Sequence, residues 1–183
     1  MEIILYHGRP EDTSDREERE VRVYDLLDSL GIDYSRTDHE HADTMEACNE
    51  IDAVLEVVIC KNLFLCNRQK TSFYLLLMPG DKPFRTKEFS ASLGISRVSF
   101  ATEEDMVRLL DLHPGSVSVL GLMNDKECDV QLVIDRDAVN GEYFGCHPCV
   151  NTSSLKIKTS DIIDKFLPHV KHSPIYVDLT GKE

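Results

Sequence analysis

No apolar run in this 183-residue sequence approaches the length needed to cross a bilayer, so no membrane-spanning helix is expected. The opening MEIILYHGRPEDTSD lacks a basic start followed by a long apolar segment, and a soluble, cytoplasmic protein without a cleaved signal is the expectation. A glycine-rich phosphate loop is missing, as are a serine nucleophile elbow and the H-x-E with P-C-x-x-C signature of the zinc deaminases. The chain therefore advertises no protein nucleophile. No repeat, low-complexity tract or linker divides it. Basic residues are scarce, 20 Lys and Arg against 33 Asp and Glu, and the formal net charge of −13 opposes an extended duplex and hence DNA.

What is present is ordinary for a globular chain: 42% hydrophobic and 29% charged residues, at a length that fills one core. A single domain over 1–183 is expected, with its core over about 21–179 and an N-terminal extension over 1–20. The six cysteines, at 48, 60, 66, 128, 146 and 149, are spread through apparent strands and a helix instead of framing loops, which suits reduced thiols. Cys146 and Cys149 do form a C-x-x-C, yet a strand-like segment follows where a redox motif needs a helix start. A zinc site would require a second pair at similar spacing. His39 and His41 stand beside Asp38 and Glu40 with no further ligand set, the pattern of loop histidines, so no metal and no cofactor are expected.

Charge is distributed unevenly. Residues 1–60 carry a net −12, residues 61–97 a net +5 and residues 98–183 a net −6. The middle stretch is a basic island of Lys61, Arg68, Lys70, Lys82, Arg85, Lys87 and Arg97, able to hold a few phosphates or to be a solvated face. Periodicity predicts helices over 17–30, from Asp43 or Thr44 past Ile51, over 87–93, over 103–112, and from a Ser160 cap through Val170. Strands are predicted near 32–37, through Lys61, over 71–78, 98–101, 116–123, 130–135, 143–147, 150–157 and 175–179, with hairpins joining 57–65 to 71–78 and 116–123 to 130–135. The tail after Thr180 is expected to fray. Together these predict an α+β domain on one curled, mixed, mostly antiparallel sheet with flanking helices.

Lys61 is the residue that needs explaining. It interrupts an apolar run, Val57 to Leu65, that alternates like a strand covered on both faces, and an ammonium is seldom buried there without a partner. It is either an edge lysine reaching water or a fixed cation aimed into a pocket.

A wider set of residues carries a resemblance. Lys61-Asn62-Leu63-Phe64-Leu65, Leu93-Gly94 to Ser99-Phe100-Ala101, Pro114-Gly115-Ser116-Val117-Ser118, Asn124-Asp125, and Cys146-His147-Pro148 with Val150-Asn151-Thr152 resemble, in order and spacing from about Val21 to Leu179, the freestanding prolyl-tRNA editing proteins. These belong to the superfamily of synthetase-associated YbaK-type deacylase domains. The resemblance implies hydrolysis of alanine mischarged onto proline tRNA, with the tRNA acceptor end as partner and prolyl-tRNA synthetase as a further one.

Residue by residue, the resemblance places Lys61 at the family's essential lysine, which engages the terminal adenosine or its phosphate. Gly115 matches the glycine of a G-x-x-x-P motif whose backbone lines the aminoacyl pocket, although Val119 stands where the family has proline. His147 and Asn151 match the late His-Pro and Asn-Thr pair, and Thr44 a threonine opening the second helix; the resemblance thus implies Lys61, Gly115 and His147 as catalytic and Thr44, Asn62, Ser116, Val119 and Asn151 as substrate-binding. An aminoacyl ester is already activated, so holding the 3' end, stabilising the oxyanion and admitting water suffices, with the ribose 2'-hydroxyl assisting as the family implies. His147 shapes the pocket or relays a proton, or else is a core histidine bonded to backbone. A synthetase cannot strongly reject the smaller alanine, each missing methylene being worth only about 1–3 kcal/mol, so a second, tighter pocket completes a double sieve. Two other readings remain: a sensor that binds proline or aminoacyl-tRNA without turnover, and a thiol or metal protein using Cys146 and Cys149.

Overall fold

In the computed structural model, which describes residues 2–42 and 44–182, the strands fall into two sheets. The first is antiparallel throughout, in the order β1 (Leu5–His7), β2 (Tyr34–Asp38), β8 (Ser153–Lys158), β7 (Tyr143–Cys146). The second runs β5 (Ser99–Phe100), β3 (Lys61–Cys66), β4 (Phe73–Met78), β6 (Val130–Asp135), β9 (Ile175–Val177). Its first three strands pair antiparallel and its last three parallel. The domain is α+β with mixed, mostly antiparallel pairing, as expected, but the pairing is divided between two sheets joined by an isolated bridge between Ile59 and Gly145.

Local signals explain the helices. In α1 (Glu18–Ser29) Val23, Tyr24 and Leu27 are buried, and Gly31 follows at φ +67°, a conformation that costs glycine little. Thr44 opens α2 (Met45–Leu55), its Oγ1 accepting from the Ala47 N–H at 3.1 Å; Asp43, the other candidate cap, lies outside the described residues. After α3 (Thr86–Leu93), Thr102 caps α4 (Glu103–Leu110), whose first turn holds three acidic residues that suit the helix dipole. The last helix, α5 (residues 159–169), passes through a π turn over Ile162–Phe166. It starts at Thr159, so Ser160 lies within it and does not cap it.

Both faces of β4 are covered, which is why its sequence is apolar without alternation. Leu75 and Leu77 join a core with Tyr24, Leu27, Phe64, Leu132, Phe144, Leu155 and Phe166. Leu76 and Met78 point the other way, into a second cluster with Leu65, Phe89, Val133 and Val177.

Three expectations fail for identifiable reasons. Ser116 to Met123 is not a strand. Ser118 Oγ accepts from the Leu120 N–H at 3.2 Å and starts a 3-10 helix over Val119–Asn124, in which a Cβ on Gly121 would approach Leu112 Cδ1 to 2.6 Å. The second hairpin therefore disappears, and β6 pairs parallel with β4 across a crossover that holds α3, β5 and α4. The tail does not fray at Thr180: the Thr180 amide and hydroxyl and the Gly181 amide donate to Glu88, and Lys82 Nζ donates to the Leu179 carbonyl at 2.7 Å. The N-terminal extension contributes β1, an edge of the first sheet.

One buried polar pair locks the chain just after α5 to the segment before β6. His172 Nε2 lies 2.9 Å from Asp125 Oδ2, and Asp125 also accepts from the Asp129 and Val130 amides. Both side chains are almost wholly buried. His172→Ala is expected to lower stability by about 3 kcal/mol, because it leaves a buried carboxylate short of a partner. Urea unfolding checks this, and an unchanged midpoint would show that the pair contributes nothing.

Candidate active site

The N-terminal end of β3 opens onto a cavity of about 470 Å3 lined by Lys61, Gly115, His147 and Asn151, together with α2, the loop after it and the Gly80-Asp81 turn. Its size suits a small-molecule or nucleotide end. One wall is the segment 57–60, which the sequence led us to expect as strand. Ile59 N–H donates to Asp52 Oδ1 at 3.1 Å and Cys60 N–H to the Gly145 carbonyl at 2.9 Å. Glycines let two backbones close on it: a Cβ on Gly80 would lie 2.3 Å from the Ile59 oxygen, and one on Gly145 2.5 Å from Ile59 Cδ1. The apolar run is thus drawn out of the sheet before Lys61, and Val58 is left exposed.

Lys61 begins β3 half-buried, with Nζ donating to the Lys82 carbonyl at 2.7 Å. Among the described residues no carboxylate forms an ion pair with it. Lys82 differs: its ammonium sits 2.7 Å from Asp135 and 2.8 Å from Asp137, and Lys70 lies 3.6 Å from Asp105. Part of the basic island is therefore internally neutralised, while Lys61 keeps its charge at the cavity wall against a neutral oxygen.

Gly115 adopts φ +87°, and a Cβ there would meet Asn151 Nδ2 at 3.4 Å. The turn that presents it is closed by Ser116, whose amide and hydroxyl both donate to the His113 carbonyl, at 3.1 and 2.8 Å. His147 donates from Nδ1 to the Ser153 carbonyl at 2.9 Å. Burial pushes its pKa below the ordinary histidine value; the Ser153 carbonyl opposes this and His39 adds to it. The ring is accordingly neutral through the physiological range. If His147 acts as a base, the acid limb of its pH–rate profile should fall below pH about 6.5, since activity is lost only as pH drops through the depressed value. A limb above that pH would point to another group.

The other sequence-derived site residues lie elsewhere. Thr44 is exposed at the start of α2 and acts as its cap. Ser116 is buried beneath the Gly115 turn, and Asn62 points away from Lys61 across the pleat, its amide 3.4 Å from the Cys60 carbonyl. Val119 is a correction: it is 0% exposed in the main core and does not line the cavity, because the 3-10 turn rotates it inward.

Sequence reading missed Asp52 and Ser154, both on the cavity wall, and left His39 as a loop residue. Burial raises the pKa of Asp52, against the opposing Ile59 N–H. His39 Nε2 lies 2.9 Å from Ser154 Oγ. Behind them Asp38 accepts from Arg16, Arg36 and Ser153. Burial would raise the Asp38 pKa, but these donors hold it well below the usual carboxylate range. No sequence spacing marks this set, because only β2–β8 pairing assembles it.

The six cysteines form no disulfide. Burial raises the thiol pKa of Cys146 and pushes that of Cys149 up to about 12, so neither is disposed to be a thiolate. Among the described residues no group of three or more His, Cys, Asp or Glu is placed to hold a metal ion, and no helix is long and apolar enough to cross a membrane.

A family profile for the aminoacyl-tRNA editing domain matches residues 39–165. The prolyl-tRNA editing protein ProX of Acetoanaerobium sticklandii is 30% identical over 136 residues, covering 74% of this chain and 83% of that protein. Prolyl-tRNA synthetase associated domain-containing protein 1 of Danio rerio is 29% identical over 153 residues, 82% of each. A crystal structure described as a candidate trans-editing enzyme for prolyl tRNA synthetase superimposes with a TM-score of 0.65 at 13% identity, over 90% of this chain and 99% of that one, a likeness of fold.

Proposed function

The chain belongs to the aminoacyl-tRNA editing domain family, and from that premise we propose that it hydrolyses the ester of mischarged proline tRNA in trans, with alanine as the preferred amino acid. The observation that carries this reading is the convergence of an ion-unpaired Lys61, the Gly115 turn and a neutral His147 on one cavity. Lys61 grips the anionic 3' end, the only part of the tRNA that a basic spot on an acidic body needs to hold. Backbone N–H groups near Gly115, other than the Ser116 amide held by His113, face the ester carbonyl oxygen as it gains charge. Water attacks the carbonyl carbon, the bond to the ribose oxygen breaks, and free alanine and tRNA leave. No covalent intermediate with the protein is needed, since the ester is already activated.

Wall segment 57–60 and α2 set the size filter, admitting alanine and excluding the pyrrolidine ring. Action in trans makes prolyl-tRNA synthetase, the source of the error, the natural partner. The test is incubation of purified protein with tRNA(Pro) carrying labelled alanine, serine or proline. Release of alanine, with serine slower and proline spared, is expected. Binding of the charged tRNA without release would replace the enzyme by a sensor, and full activity of a Cys146→Ser, Cys149→Ser double variant would dispose of a thiol mechanism.

A further inference from the structure

His39 has no task in the reading above, yet for the neutral ring its hydrogen bonds have only one consistent direction. Its amide donates to the Thr152 carbonyl at 2.9 Å, which seats it against the chain that follows His147. Its Nδ1 lies 2.7 Å from the Glu40 carbonyl, and a carbonyl only accepts, so Nδ1 carries the proton. In the neutral ring Nε2 is then a bare acceptor. Ser154 Oγ lies 2.9 Å from that nitrogen and must donate to it.

With its proton committed, Ser154 Oγ offers only lone pairs to its other neighbour, His147 Nδ1, at 3.4 Å. The same Nδ1 lies 2.9 Å from the Ser153 carbonyl. His147 Nδ1 thus faces two acceptors and holds the ring's proton, which leaves Nε2 as the open lone pair on the cavity wall. The two rings stand 6.4 Å apart at 60°, linked through the one hydroxyl.

We infer that His39 is a positioning residue: by holding the Ser154 proton it keeps that hydroxyl from donating to His147 Nδ1, so that the Nδ1–H set by the Ser153 carbonyl is secured and an unprotonated Nε2 is presented to the hydrolytic water. The inference deepens the deacylase reading and rests on it for the identity of that water. Ser154 pairs with a histidine as a nucleophile would, but it is buried at the cavity wall and its proton is committed to His39, and it serves as a link. The chain of bonds runs on from Ser153 to Asp38 and Arg16, so the N-terminal segment braces the same site.

Two substitutions separate the contacts of His39. Glutamine places an amide oxygen where Nε2 was and can accept from Ser154; asparagine reaches only the Nδ1 position and the Glu40 carbonyl. The 15N resonances of the His147 ring, recorded on the free protein at neutral pH, report which nitrogen is protonated. Wild type, His39→Gln and Ser154→Ala, which keep the Ser154 proton committed or remove it without freeing it, are expected to show Nδ1–H, whereas His39→Asn, which frees that proton to donate to Nδ1, populates both tautomers.

With alanine-charged tRNA, His39→Asn should lose about 10-fold in kcat at unchanged KM and melting temperature, and His39→Gln should recover most of the rate. An Nδ1–H signal in all four proteins, or equal rates for the asparagine and glutamine variants, would overturn the inference. Absence of turnover in wild type would count against the deacylase reading alone, because the ring spectra still decide the relay.

Discussion

Lys61→Ala is expected to slow the release of alanine from charged tRNA by about 10²- to 10³-fold, the scale of removing a preorganised charge from a developing anion. Stability should hardly change. Among the described residues the side chain makes a single hydrogen bond, to the Lys82 carbonyl, worth about 1 kcal/mol, and its loss leaves a half-buried oxygen that water can satisfy. Lys61→Arg should restore little. The longer planar guanidinium cannot occupy the place of a compact ammonium beside the Gly80-Asp81 turn, so charge without position does not rescue. The same electrostatic grip predicts that raising the salt weakens the wild type more than the variant. Single-turnover rates with melting curves check all of this, and a folded Lys61→Ala protein as fast as wild type would remove the lysine from the mechanism.

Lys61 was legible in the sequence because a lone ammonium in an apolar run violates the rule that buried charge needs a partner. The helical stripe of α1 and the doubly apolar β4 were legible for a related reason: burial patterns are written locally. The segment 116–123 was not. Its residues Val117, Val119, Leu120, Leu122 and Met123 suit a strand as well as a turn, and the Ser118 cap with the tight seat of Gly121 on Leu112 decides for the turn only once α4 is in place. The parallel pairing of β4 with β6 was hidden too, since an intervening crossover looks in sequence like independent elements. Within the site, Lys61, Gly115, His147 and Asn151 were named in advance, and the structure brings them to one cavity. Asp52 and Ser154 were not named, and His39 was read as a loop residue. They come from a strand end, a helix and a distant strand, and nothing about their types or spacing records that β2 pairs with β8.

Gly80→Ala is expected to damage stability and selectivity together. The added Cβ would lie 2.3 Å from a backbone oxygen, that of Ile59, so no rotamer change relieves the contact and the chain itself must move. Overpacking of this kind costs about 1–3 kcal/mol, which for a domain of this size lowers the melting temperature by several degrees. The moving part is segment 57–60, which is held on its other side by Gly145 and the Asp52 carboxylate and therefore cannot retreat freely. Displacing it reshapes the cavity wall that the proposed mechanism sets against the amino acid. The rate on alanine-charged tRNA should fall by about 10²-fold, the cost of an error of about 1 Å in placement, and the preference for alanine over proline should narrow. Gly31→Ala is the matched control. A Cβ there meets nothing within 4 Å, so the variant carries only the strain of φ +67°, about 1 kcal/mol, with no change in selectivity. If Gly80→Ala kept the wild-type ratio of alanine to proline release, segment 57–60 could not be the wall that sorts them.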